Sequence, residues 1–355
     1  MSNYNAVNER VKRDYFDWKR HADGKAESTI NEARQHIARY EAYTDYKEFG
    51  TFNSKQAIGF KGKLVKEKIS LSTMRTILNN LMDFFKWLAG QKGYVSKIFY
   101  NDIAFLQLPQ RDARIAKSKS LKEYPTIEQV KHALSLMPED TVIQKRNRAF
   151  VAFTLLSGMR DSAIVSLKIR HVAVDKELIS QKPSDGVNTK FGKTIFTWFF
   201  PVGDDIKTIV IDWIKVLREV LLYGDQDPLF PRLKQSMDEN YSFKYKELEP
   251  VFLQSASPMR KVFKEAFQNA GLQYYSPHKF RDTLANYGEK ICKSPEDFKA
   301  WSQNLGHEHV LTTFTSYGYV DENRQGEIIR NLSKMETEED KMDEILSLLK
   351  GKVGA

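Results

Sequence analysis

The feature that most constrains this chain is a break. Residues 109–124, PQRDARIAKSKSLKEY, are polar, basic and poor in apolar side chains, and they read as a linker. On either side lies a stretch with enough apolar pattern for its own core; hydrophobic residues make up 41% of the whole. Before the break the pattern is helical throughout. From Ser28, a candidate cap, Ile30, Ala33, Ile37 and Tyr40 fall on one helical face. A second helix is expected near Ser54–Lys68. The strongest runs from Ser70 to Ala89, where Ile77, Leu78, Leu81, Phe84, Phe85 and Leu88 form a wide apolar stripe that Gly90 and Gly93 end. Residues 1–24 read as a charged arm and 25–108 as a small all-α domain.

A second domain is expected over 125–335, opening with the helix start Pro125-Thr126-Ile127-Glu128. A buried helix over Arg146–Leu156 stops at Gly158. Glu177–Gln181 and Ile195–Phe200 are the β-prone runs. An amphipathic helix is expected over Asp205–Tyr223, a polar loop or insertion over 234–257, and another helix over Arg260–Ala270. The tail, 336–355, carries an acidic stretch and then a short helix with Met342, Ile345, Leu346 and Leu349 on one face. The expected fold class is mainly α with a small β-sheet, in two domains, which 355 residues can supply. No run of about eighteen apolar residues exists to span a membrane. The start lacks the apolar core of a signal peptide. Cys292 is the only cysteine, so an internal disulfide is excluded and a reducing cytoplasm fits.

The formal net charge is +9. Its placement matters more than its size. Lys61, Lys63, Lys66 and Lys68 cluster, as do Arg111, Arg114, Lys117, Lys119 and Lys122. Such stripes can track a phosphate backbone; a solvated helix face has the same composition.

The chemistry concentrates between Ser276 and Tyr317. Ser276 is a candidate N-cap, Pro277 suits a first helical position, and His278 and Arg281 are three apart on one face. Leu305-Gly306-His307 ends a further helix, and Tyr317 follows ten residues after His307. Arginine offers a planar fork to two phosphate oxygens. Histidine donates a hydrogen bond or accepts a proton near neutral pH. Tyrosine supplies an oxygen nucleophile. The set suits a phosphodiester under attack by a phenol. His307-Glu308-His309 could be a metal pair, but no cysteine cluster or further carboxylate–histidine box supports it.

The order His-x-x-Arg, Leu-Gly-His, Thr-Thr, Tyr resembles the C-terminal signature of the tyrosine recombinases, the phage-type integrases. The layout resembles that family over nearly the whole chain, and the likeness is specific in the boxes from Arg160 to Tyr317. TLLSGMRDSAIVSLKIRHV resembles its first box, which implies that Arg160 clamps the scissile phosphate. Thr189-Lys190-Phe191-Gly192-Lys193 resembles its lysine turn and implies Lys190 as general acid, with Lys193 the alternative. His278 then handles the tyrosine proton or braces the phosphate, Arg281 neutralises charge, His307 bonds a non-bridging oxygen and Tyr317 is the nucleophile. One position departs: many members carry an acid three residues after the first arginine, and here Ala163 stands there, with Asp161 no sure replacement.

The resemblance implies a two-domain clamp on double-stranded DNA: an α-helical core-binding domain followed by a mixed catalytic domain. It implies strand exchange through a 3′-phosphotyrosyl bond with no metal or ATP, and a homo-oligomer on DNA, a dimer per site and a tetramer in the synapse. Accessory DNA-bending proteins and a cytoplasmic, nucleoid-associated setting also follow from it. The terminal helix docks either on its own domain or on a neighbour. Two other readings stay open: a type IB topoisomerase with nearly the same chemistry, and a non-catalytic DNA-binding protein, for which the missing acid speaks.

Overall fold

In the computed structural model the described residues are 4–117, 123–237 and 243–307. The chain divides into two compact units, with the boundary between Lys119 and Ser120.

The first unit is helical. Its elements are α1 (Ala6–His21), α2 (Glu27–Tyr43), α3 (Ser54–Lys66), α4 (Leu71–Ala89), α5 (Tyr100–Ala104) and α6 (Gln110–Lys117). Ser70 caps α4 by accepting from the Thr73 amide, and all six residues of the expected stripe are buried. Around them sits an aromatic core. Phe52 stacks on Phe85 with ring centroids 3.9 Å apart, and Tyr40 meets Phe60 and Phe85 edge-on, each at 5.3 Å. Edge-on and offset contacts suit the ring quadrupole. Three details differ from expectation. Helix α2 starts at Glu27 after Ala26, with no side-chain cap, so Ser28 lies inside the first turn. The stretch read as an arm contains α1, capped by Asn5, and its Val11, Tyr15 and Phe16 belong to this core. Helix α6 occupies part of the stretch read as a linker.

The second unit begins with α7 (Ile127–Ser135) and α8 (Val142–Ser157), each opened by a capping box, Thr126 with Gln129 and Thr141 with Gln144. From Ala149 to Ser157 every residue of α8 is buried, so it is the central helix. It is followed by α9 (Asp161–Ile164) and by a sheet of β1 (Val172–Ala173), β2 (Leu178–Gln181) and β3 (Ile195–Trp198), antiparallel in the order β1-β2-β3. Next come α10 (Asp204–Lys215), which runs on into a π-helical turn over Val216–Val220, and a hairpin of β4 (Arg232–Met237) and β5 (Phe243–Glu249). Helices α11 (Ser257–Asn269), α12 (Lys279–Ile291) and α13 (Pro295–Asn304) complete the described part. The core is built on Phe150, Phe153, Trp213, Phe230, Phe263 and Phe280.

The hairpin takes up much of the stretch expected to be a polar loop or insertion, 234–257. Its cross-strand partners explain why hydrophobic pattern missed it. Arg232 faces Glu249 and Lys234 faces Glu247, the latter with Nζ and Oε2 2.8 Å apart. Opposite charges directly across a strand pair stabilise it without any apolar alternation.

Candidate active site

Gly158 sets the geometry. It ends α8 in the left-handed region at φ +57°, and a β-carbon there would stand 2.7 Å from Leu284 Cδ1 and 2.9 Å from Leu305 Cδ2. Only glycine fits both the conformation and the space. The chain therefore turns sharply, and Arg160, two residues on, becomes the N-cap residue of α9, half-buried. Burial holds its guanidinium below the ordinary arginine range.

Helix α12 brings the second arginine. It starts two residues later than expected. His278, not Ser276, takes the N-cap position, and Ser276 contributes its carbonyl, which accepts from the Lys279 amide at 2.8 Å. Arg281 is 5% exposed. Its Nη1 donates to the Gly158 carbonyl, and its Nη2 donates to the Leu305 carbonyl at 2.5 Å and lies 2.9 Å from His307 Nε2. Arginine has five N–H donors and no acceptor, so His307 Nε2 accepts here and the ring proton sits on Nδ1. Among the described residues, three of its five donors are thus engaged, all but Nε–H and one Nη1–H. Burial pushes Arg281 down to about 9, with Arg160 adding to the fall and Asp282 opposing it. Burial, then the charges of Arg281, Arg160 and His278, push His307 down to about 4. At neutral pH the site holds two charged arginines and a neutral imidazole.

The lysine turn is held from its N-terminal side. The Asn188 amide donates to Ser166 Oγ at 2.9 Å. Asp185 is gripped by Lys168 Nζ at 3.0 Å, by His171 Nε2 at 2.8 Å and by Arg170, and these partners drive its carboxyl well below the usual range. Lys190 then lines one pocket with Arg160 and Arg281, whereas Lys193 does not. Ala163, 3% exposed, lines the same pocket, so no acid stands at that position. Asp161 is committed elsewhere, with Oδ2 2.7 Å from Arg260 Nε. Tyr317 lies outside the described residues, as do Glu308, His309 and the tail helix. Among the described residues no group of three His, Cys, Asp or Glu side chains could hold a metal.

Six polar residues of this pocket, Ser157, Gln181, Asn188, Thr189, Thr197 and Asn304, were not singled out in the sequence. Gln181 and Thr197 occupy inward positions of β2 and β3, where Gln181 Nε2 donates to Thr197 Oγ1 at 2.7 Å. Thr189 Oγ1 is buried without a hydrogen-bond partner among the described residues. Polar side chains at inward strand positions, beside a lysine turn, were the available signal.

The basic stripes of the first unit divide. Lys61 Nζ donates to the Gln107 carbonyl at 3.1 Å, and burial lowers its ammonium. Lys63 lies 5.7 Å from the Tyr43 ring centroid and 3.9 Å from Glu67. Lys66, Arg111 and Arg114 are exposed. Lys119 lies outside the described residues, and Lys117 is described only as a helical position. Among the described residues no helix is long and apolar enough to cross a membrane.

The sequence model of the phage integrase family matches residues 124–324. Among curated proteins, tyrosine recombinase XerC of Lactobacillus leichmannii is 25% identical over 248 residues, 70% of this chain and 72% of that protein. XerC of Xylella fastidiosa (strain M23) is 23% identical over 310 residues, 86% of this chain and 90% of that one. Among solved structures, a lambda integrase(75-356) dimer bound to a COC′ core site aligns with a TM-score of 0.61 at 15% identity, over 87% of this chain and 95% of that chain. The site-specific recombinase XerH, in a post-cleavage complex with palindromic difH substrate, aligns at 0.59 and 16% identity, over 84% and 78%. The similarity to the two solved structures is one of fold.

Proposed function

The chain belongs to the phage integrase family, the tyrosine recombinases, and from that premise we propose that it cuts and rejoins double-stranded DNA at specific sites through a covalent 3′-phosphotyrosyl intermediate. The observation that carries the reading is the crowding of Arg160, Lys190 and Arg281 around one pocket, with a neutral His307 bonded to Arg281. Like charges held in a partly buried place are costly alone and become favourable around an anion.

A scissile phosphate fits that description. Arg160 and the two donors of Arg281 that the described residues leave over take its non-bridging oxygens and stabilise the charge that grows on them during attack. Arg281 is already oriented by two carbonyls, so little reorganisation accompanies the reaction. His307, kept neutral, offers its ring proton to a non-bridging oxygen. His278, at the N-cap of α12, braces the phosphate or takes the phenol proton. Tyr317 attacks phosphorus, the P–O bond to the 5′-oxygen breaks, and Lys190 delivers a proton to that leaving oxygen. A second strand's 5′-hydroxyl reverses the step, so the bond energy is retained. The residues of this chain supply every proton the scheme needs. The exposed Lys66, Arg111 and Arg114, with Lys117 and Lys119, track the DNA backbone. The working form is a homo-oligomer on DNA, a dimer per site and a tetramer in synapsis, with accessory DNA-bending proteins as further partners and the nucleoid as the setting.

The test uses DNA recovered by binding selection with the full chain, nicked beside the scissile phosphate to trap the intermediate. Wild type is expected to form a covalent adduct through a 3′-phosphate. Tyr317→Phe should abolish the adduct and keep DNA binding, and Tyr319→Phe should form it normally. Binding without any adduct would leave the non-catalytic reading; an adduct on Tyr319 would move the nucleophile two residues.

A further inference from the structure

We propose that Asn304 is a positioning residue that sets the lysine turn against Arg281 and His307. This rests on the recombinase reading above and goes one step past it.

Asn304 is the last residue of α13 and stands directly before Leu305-Gly306-His307. Its side chain treats β3 as a neighbouring strand would. The Trp198 amide donates to Asn304 Oδ1 at 2.6 Å, and Asn304 Nδ2 donates to the Trp198 carbonyl at 2.9 Å. Strand β3 is the edge of its sheet among the described residues, and this amide closes its ladder at that point. The Asn304 main chain adds a third tie. Its carbonyl accepts from Thr197 Oγ1 at 3.2 Å, and Thr197 Oγ1 in turn accepts from Gln181 on β2. A fourth contact follows two residues on. Gly306 adopts φ +68°, and a β-carbon there would stand 2.9 Å from Ile195 Cδ1, at the start of β3.

The consequence is a fixed register between β3 and the histidine segment. On one side, β3 follows directly from the Lys190–Lys193 turn. On the other, Leu305 and His307 are bonded to Arg281. Asn304 therefore links the group that protonates the leaving oxygen to the groups that hold the phosphate. No other side chain of its size both donates and accepts from one plane. Aspartate could accept from the Trp198 amide but would face the Trp198 carbonyl with a second acceptor, and leucine could do neither.

The experiment compares cleavage of two suicide substrates of the same selected DNA, one with the ordinary phosphodiester and one with a 5′-bridging sulfur. A thiolate leaves without a proton, so the second substrate bypasses the lysine. Asn304→Leu and Asn304→Asp should slow the ordinary substrate by roughly tenfold to a hundredfold, the cost of a misplacement of about 1 Å. Both should cleave the sulfur substrate within about threefold of wild type, since the proton transfer that general acid catalysis supplies is no longer needed. The ratio of the two rates is taken within each variant, so a partly unfolded preparation does not alter it. Equal slowing on both substrates would mean that Asn304 serves the fold at large, and unchanged rates on both would mean that it positions nothing; either overturns the proposal. A wild type that binds the DNA yet forms no adduct on either substrate would instead overturn the recombinase reading, and this inference with it.

Discussion

Gly158→Ala tests the turn on which the site is built. Two costs add. The backbone at φ +57° lies where an L side chain meets its following carbonyl, worth about 1–2 kcal/mol. The new methyl also lies 2.7 Å from Leu284 Cδ1 and 2.9 Å from Leu305 Cδ2, both in side chains packed in the core, and overpacking of this kind costs about 1–3 kcal/mol. Gly186→Ala is the control, because Gly186 sits at φ +88° with nothing within 4 Å of its β-carbon. It carries the backbone cost alone. The difference between the two variants is then the packing cost, about 1–3 kcal/mol, or about 2–12 °C in the melting temperature of a unit this size. The assay is thermal unfolding of the full chain by tryptophan fluorescence. Trp198, Trp213 and Trp301 report the second unit, and Trp18 and Trp87 the first, whose transition should not move. Cleavage should fall further than stability does, since the Gly158 carbonyl orients Arg281 and Leu305 packs beside it. If Gly158→Ala melts no lower than Gly186→Ala, the tight packing around this turn is not what requires glycine.

Two further predictions concern lysines. Lys190→Ala should cleave an ordinary phosphodiester at least about a hundredfold more slowly, a general-acid-sized loss, and recover on a 5′-bridging sulfur substrate; recovery with Lys193→Ala instead would shift the role by three residues. In salt titrations of DNA binding, Lys66→Ala should lower the log–log slope by about 0.9, the value of one phosphate contact. Lys61→Ala should leave the slope unchanged and lower the stability of the first unit, because its ammonium is engaged with the Gln107 carbonyl; a loss of slope there would restore it to the DNA surface.

Much of this was legible in the sequence, and the physical reasons differ by element. Helix α4 was readable because its apolar stripe and its Ser70 cap are both local signals. Helix α8 was readable from the opposite sign, an apolar run ended by glycine, and that glycine then located Arg160. The β4–β5 hairpin was not readable, since charge pairs across strands carry no periodicity within either strand. The Ser276 cap was misplaced by two residues because Pro277 and His278 form a turn stitched by backbone bonds before α12 begins. Within the site, residue types made Arg281 and His307 candidates, and the family resemblance added Arg160. The hydrogen bonds from Arg281 to the Gly158 and Leu305 carbonyls could not be read, because main-chain acceptors leave no mark on the residue types around them.

The departure at Ala163 takes on a meaning from this geometry. Where many members of the family carry an acid, this chain buries a methyl group, and the nearby Asp161 is held by Arg260. Asp282 is the carboxylate that offsets the charge of Arg281, and it does not prevent burial and Arg160 from holding that arginine below its ordinary range. An acid in the pocket would compete with a phosphate for the same guanidinium donors. Without it, a phosphate bound as proposed above would meet the remaining donors of Arg281 and the fork of Arg160 without displacing a carboxylate at that position. What the acid would have contributed to positioning falls instead to neutral contacts: the Gly158 and Leu305 carbonyls on Arg281, Ser166 on the lysine turn, and the Asn304 amide on β3. These hold geometry without adding charge, so on the function proposed above the phosphate itself would be the counter-ion that completes the site.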